Sequence, residues 1–396
     1  MELVPGEDKI FTSTKDEEII EISDNYINNK YIKGDARIVT EQARYPLNTI
    51  PNMVDSDDYE LNPEFQRRHR WDNQKKSRLI ESFIINVPIP PIFLYEDEYS
   101  HYEVMDGLQR LTAIKQFYRN EFKLEGLEEW PELNGRKYGN LPDKIRKGID
   151  RRYLSSIILL QETAKDENEA LRLKQLVFER INSGGVQLEP QESRNAIYNG
   201  PLNERCIMLA RNRYLCATWG IPEPDLDELM ENGASPALIE NKHFRCMFDV
   251  ELVLRFFAYR QRLKYHRGAL KDYLDEYLKN GNLMPAETLN SLSELFENTI
   301  RLAYDLLGEK AFWLYRKRKT GWGWFSRPTT AVYDPMMYAL SGYSRDPETL
   351  LSKGNDIRSS LPGFYKENYE KFEGRYTNIA NIQERNNLFS EFFESF

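Results

Sequence analysis

Cysteine is scarce in this chain, and the three that occur, Cys206, Cys216 and Cys246, form no CxxC pair. An odd number of widely spaced thiols excludes a disulfide framework and fits small buried side chains in a reducing compartment. Histidine is also scarce: His69, His101, His243 and His266 are all there is, and none follows residue 266. The C-terminal region therefore lacks the general-base histidine of a His-Me finger nuclease. His243 and Cys246 share a helical face, but no second pair completes zinc spacing, so core packing accounts for them better. No P-loop GxxxxGK[ST], GxGxxG turn, HExxH helix or GxSxG elbow occurs. No apolar run approaches the roughly 18 residues of a membrane span, and the first residues lack a cationic and apolar leader. A soluble, cytoplasmic protein with no membrane attachment is expected. Positive charge is in deficit, with 54 Lys and Arg against 63 Asp and Glu and a net charge of -9. That balance argues against a general nucleic-acid coat, because phosphate binding needs clustered cations.

What the chain does have is apolar content of 40%, with 13% aromatics, over 396 residues. That is enough for two packed domains. An acidic helix is read near residues 15–29 and a short strand at 59–61. Asp72 suits the N-cap of a helix carrying Leu79, Ile80, Phe83 and Ile84, which Pro88, Pro90 and Pro91 stop. Residues 92–95 and 102–105 are β-branched and aromatic runs divided by a polar turn, hence two strands. Leu108, Leu111, Ile114, Phe117 and Tyr118 then recur at helical spacing, so the chain passes from strand through Asp106-Gly107 directly into a helix. A strand at 156–160 precedes a helix that Asp166 can cap and Gly184-Gly185 can end. Beyond Pro190 strand signals almost vanish. The fold class expected is α+β: a small mixed sheet with helices over residues 1–199, a seam at Gly200-Pro201, and an all-helical domain over 200–396.

Three features carry chemistry. The first is Asp106-Gly107-Leu108-Gln109-Arg110. A strand that ends in glycine and opens a helix presents free N–H groups and a partial positive charge, which suits phosphate. Arg110 adds a guanidinium, whereas the Asp106 carboxylate would repel phosphate unless a cation lies between. A bridging Mg2+ (or Mn2+) held by Asp106 resolves the conflict. The same residues also suit a plain N-cap and turn. The second feature is residues 62–71, where Arg67, Arg68, His69 and Arg70 interleave with Phe65 and Trp71; they suit a phosphate cradle, or a solvated basic face over packed rings. The third is residues 178–185, Phe-Glu-Arg-Ile-Asn-Ser-Gly-Gly, with amides available to a ligand or simply a Schellman ending.

In this order, and with the block Leu-Ile-Glu-Ser-Phe-Ile-Ile-Asn-Val-Pro-Ile-Pro-Pro at 79–91, these segments resemble the DGQQR-motif family (domain of unknown function 262) of the ParB/sulfiredoxin-like superfamily. That family includes the GmrS–GmrD type IV restriction enzymes and the SspE effector, and the resemblance covers roughly residues 58–199. It implies a ParB/sulfiredoxin-like, nucleotide-handling N-terminal domain. Asp106, Gln109 and Arg110 would be its catalytic signature, with Gln66, Arg67, Gly107 and Asn182 binding nucleotide. The family's first glutamine is Leu108 here, which removes a hydrogen-bonding side chain and implies weaker turnover or altered nucleotide choice.

The expected activity is Mg2+-dependent hydrolysis of a nucleoside triphosphate in a restriction or anti-phage system, with cutting done by a separate nuclease. The alternative is a non-catalytic module that recognises a nucleotide or modified DNA and recruits that nuclease. Outside the resemblance, Arg316, Lys317, Arg318 and Lys319 precede Trp322 and Trp324. They suit DNA contact, with the tryptophans stacking on an unpaired base, or a helix end with the tryptophans packed inward. Phe389, Phe392, Phe393 and Phe396 form a helical stripe suited to docking on its own domain.

Overall fold

The computed structural model describes residues 3–9, 23–25, 27–28, 38–61, 68, 71–160, 167–182, 189–225, 235–264, 269–319, 321–372 and 379–396, without the side chains of residues 167, 168, 171, 179 and 182. The acidic helix read near residues 15–29 lies almost wholly outside the described residues. The chain divides into two compact units, residues 16–188 and residues 1–15 with 189–396.

The first unit is built on a five-stranded mixed sheet. Its strands are β1 (Thr40–Pro46), β2 (Tyr59–Glu60), β3 (Ile92–Glu98), β4 (His101–Asp106) and β5 (Tyr153–Leu159), ordered β1-β5-β3-β4-β2. β3 pairs antiparallel with β4 and parallel with β5. The helices are α1 (Ile50–Val54), α2 (Asn73–Ile85), α3 (Leu108–Tyr118), α4 (Asp143–Asp150) and α5 (Glu167–Asn182). As expected, Asp72 caps α2, accepting from the Lys75 N–H at 2.8 Å. The helix ends on Asn86 in the left-handed conformation, two residues before the first proline. Ile80, Ile92, Leu94, Leu111, Ile114 and Phe117, all with essentially no exposed surface, close one core between sheet and helices.

The second unit is mostly helical. It contains α6 (Pro190–Ile197), α7 (Pro201–Leu209), α8 (Arg213–Trp219), α9 (Phe248–Arg262), α10 (Leu270–Gly281), α11 (Ala286–Leu307), α12 (Thr330–Leu340), α13 (Gly354–Glu367), α14 (Tyr369–Phe372) and α15 (Ile379–Glu394). Gly200-Pro201 lies inside this unit, because the buried Arg194 of α6 pairs with Glu251 at 2.9 Å and Asp275 at 2.6 Å. Residues 3–9 belong here too: the buried Glu7 carboxylate accepts from Arg260 at 2.9 and 3.0 Å. Phe389 and Phe393 are buried, as the aromatic stripe predicts, and Phe364 packs at a tilt against Phe389 and Phe392.

One departure is a hairpin within the domain read as all-helical. β6 (Trp313–Arg318) pairs antiparallel with β7 (Gly321–Pro328). Tyr315, Trp322 and Trp324 share one face, where Trp322 meets Tyr369 and Trp324 meets Tyr365. Cross-strand aromatic pairs stabilise such ribbons, and Gly321 and Gly323 stand opposite Arg318 and Arg316 on the other face. Among the described residues, no helix is long and apolar enough to cross a membrane.

Candidate functional site

The turn from β4 into α3 is built by one glycine. Gly107 has φ 98 and ψ 7 and is itself the N-cap, so Asp106 is the last strand residue and not a cap. A Cβ at 107 would stand 2.3 Å from Cγ2 of Ile92, a core residue of β3, so both the backbone and the packing demand glycine. Among the described residues no side chain caps this end of α3, so its first N–H groups have no acceptor there.

Asp106 and Arg110 meet across one helical turn, with Nη2 of Arg110 donating to Oδ2 of Asp106 at 2.7 Å and to the Pro91 carbonyl at 3.2 Å. The Asp106 side chain is 39% exposed and the Arg110 side chain 14%. The cation that the carboxylate needs beside a phosphate is thus supplied in part by the chain itself. Among the described residues, Oδ1 of Asp106 has no partner, and neither does the buried Nε of Arg110. Leu108 points away from this opening: it is 6% exposed and part of the core.

Gln109 is turned elsewhere. Its Oε1 accepts from the Trp71 N–H at 3.0 Å, which ties the end of the basic segment to the first turn of α3. Gln66, Arg67, His69 and Arg70 lie outside the described residues, as do Ser183, Gly184 and Gly185. Arg68 is described, and at 1% exposure it is buried instead of lying on a solvated face. Asn182 ends α5, its side chain not being described.

The sequence reading missed a second tie. Glu103, three residues before Asp106 on β4, forms an ion pair with Lys174 of α5, and both side chains are largely buried. Burial pushes the Glu103 carboxyl above its ordinary pKa despite the lysine. Lys174 also lies 5.6 Å from the centre of the Tyr95 ring. This pair fixes α5, which leads to Asn182, on the strand that ends at Asp106. A charged residue between Tyr102 and Val104, in the middle of a strand, was the available signal. Among the described residues, no group of three His, Cys, Asp or Glu side chains gathers to hold a metal. An ion at the turn would rest on Asp106 Oδ1 and on ligand oxygens, the pattern magnesium commonly adopts.

Sheet, helices and turn define an α+β domain, with Asp106 and Arg110 side by side at the junction of β4 and α3. Residues 50–199 match the family model of the GmrSD restriction endonuclease, N-terminal domain. The similarity covers both segments tied to the turn and the turn itself, and it links this part of the chain to restriction systems. No curated protein and no solved structure matches the chain.

Proposed function

We propose that residues 50–199 bind and hydrolyse a nucleoside triphosphate as part of a restriction system, with DNA cutting done by a separate nuclease. The observation that carries this reading is the uncapped α3 N-terminus with Arg110 and Asp106 beside it. The free N–H groups take phosphate oxygens, and Arg110 neutralises charge that develops during transfer. Mg2+ or Mn2+, when bound, would join the Asp106 carboxylate to those oxygens and withdraw charge from them. Asp106 positions, Arg110 neutralises, and Gln109 holds the basic segment in place through Trp71. In this reading Gln66, Arg67 and Asn182 complete the nucleotide contacts.

The test is phosphate release from the four common nucleoside triphosphates with Mg2+, with and without DNA. Asp106→Ala should abolish turnover while shifting stability by about 1 kcal/mol or less, since a partly exposed ion pair contributes little. Arg110→Ala should weaken triphosphate binding more than nucleoside binding. Hydrolysis at parental rates by both variants refutes the assignment, and binding without turnover by the parent leaves a recognition module that recruits its nuclease.

A further inference from the structure

The second unit contains a half-open cavity of about 980 Å³ lined by residues between 219 and 386. Three residues that line it, from three separate elements, carry buried polar groups without hydrogen-bond partners among the described residues. Asn386 of α15 is 1% exposed, and both its amide nitrogen and its oxygen are buried and unpaired. Thr329 Oγ1, at the start of α12, and Trp219 Nε1, at the end of α8, are likewise buried and unpaired, and all three residues line the cavity. Such groups are ordinarily satisfied, because each costs about 1–3 kcal/mol when it is not. Three on one cavity call for a ligand that both donates and accepts hydrogen bonds.

The mouth calls for an anion. Among the lining residues, Arg255 is matched by Asp334, with Nε 3.0 Å from Oδ1. Lys242, Arg316 and Arg327 also line the cavity, and among the described residues no carboxylate pairs with them. Lys242 and Arg327 are exposed and Arg316 half-buried, so they form a rim. The Phe325 ring is common to both arginines, 5.2 Å from Arg316 and 4.6 Å from Arg327, with Arg318 at 5.8 Å. Cations gathered around one ring without a carboxylate favour a phosphate.

We propose that this cavity binds a nucleotide, its phosphate against Lys242, Arg316 and Arg327 and its base against Asn386, Thr329 and Trp219. An unpaired amide matches the adjacent donor and acceptor of a base edge, and Phe248, Tyr259 and Phe372 line the cavity with aromatic surface for a flat ring. The volume lies within the range of pockets that enclose ligands of this size. The site is separate from the α3 turn and does not depend on it. A free mononucleotide and one nucleotide of a single strand present the same chemistry.

The test uses the full chain and calorimetric titration with AMP, CMP, GMP and TMP, with inorganic phosphate and ribose 5-phosphate, and with a single-stranded DNA decamer. At least one mononucleotide should bind saturably and at least ten-fold more tightly than phosphate or ribose 5-phosphate. Asn386→Leu and the rim variant Arg316→Gln/Arg327→Gln should each weaken it about ten-fold or more, while Arg110→Ala leaves it unchanged. Thr329→Val, conservative in shape, replaces Asn386→Leu if the latter fails to fold, and the rim positions are open enough to be changed safely. Tighter binding of the decamer, lost in the same variants, identifies a strand as the source; weaker binding identifies the free nucleotide. The proposal is overturned by absence of binding, by binding indifferent to these positions, by binding that follows Arg110 alone, or by phosphate or ribose 5-phosphate binding equally well.

Discussion

Replacing Gly107 with alanine tests the physical account of the α3 turn. An L-residue in the left-handed conformation costs roughly 1–2 kcal/mol. The new Cβ would also stand 2.3 Å from Cγ2 and 2.9 Å from Cβ of Ile92. Ile92 has no exposed surface and is held in the sheet opposite Ser156, so it cannot simply turn aside. Overpacking of that kind costs about 1–3 kcal/mol. The sum, about 2–5 kcal/mol, is a large part of the 5–15 kcal/mol typical of a domain. Because the chain has two compact units, a single melting temperature would blur the effect. Hydrogen exchange resolved to peptides of β3 and α3 is the suitable assay: protection there should fall roughly 30- to 4,000-fold, at about 1.4 kcal/mol per factor of ten. Ile92→Leu removes Cγ2, and the double variant should recover about 1 kcal/mol relative to the sum of the single changes. A cost under about 1 kcal/mol, or no coupling to Ile92, would refute the packing argument.

Lys174→Met should leave the Glu103 carboxylate buried without its cation, a loss of about 3 kcal/mol at neutral pH. Glu103 then titrates higher in the folded than in the unfolded chain, so the folded state binds more protons and the variant loses stability as pH rises from about 4.5. Hydrogen exchange resolved to peptides of β4 and α5 at pH 5 and pH 8, each corrected for its intrinsic rate, checks this, and an equal deficit at both would be the wrong result. On the hairpin, Arg316, Lys317, Arg318 and Lys319 changed together to Gln should flatten the salt dependence of DNA affinity by roughly 0.7 to 0.9 in slope for each lost phosphate contact. Turnover without DNA should not change, and an unaltered slope refutes DNA contact by the cluster.

The parts of the fold that were legible are those whose reasons are local. Ile92 to Tyr95 and Tyr102 to Met105 are runs that scarcely suit anything but strands, and Asp72 caps the helix that its position predicts. β1 was not legible, because Thr40–Pro46 carries no apolar alternation and stays largely exposed; its register with β5 across the sheet makes it a strand. The hairpin was hidden for a similar reason. Its cations drew attention as a charge run, while its strand character resides in the cross-strand meeting of Tyr315 with Trp322 and Trp324. Within the site, the Asp106 to Arg110 spacing was visible as neighbours on one helical edge. Glu103 and Lys174 lie 71 residues apart, and Trp219, Thr329 and Asn386 come from three distant elements, so no spacing announces them.

Leu108 shows how structure changes the weight of a motif departure. Read along the sequence, a leucine in place of glutamine removes a hydrogen-bonding group from the nucleotide signature. In the fold, the residue after the N-cap faces the core, packed with Ile92 and Leu111 in one cluster. Successive helical residues diverge by about 100°, so position 108 points inward while 110 reaches back beside Asp106. A buried amide at 108 would need a partner among apolar neighbours, and none of those side chains offers one. The leucine is therefore the residue this core favours. The groups on which the proposed site rests, the Asp106 carboxylate, the Arg110 guanidinium and the backbone at the start of α3, do not involve the side chain at 108.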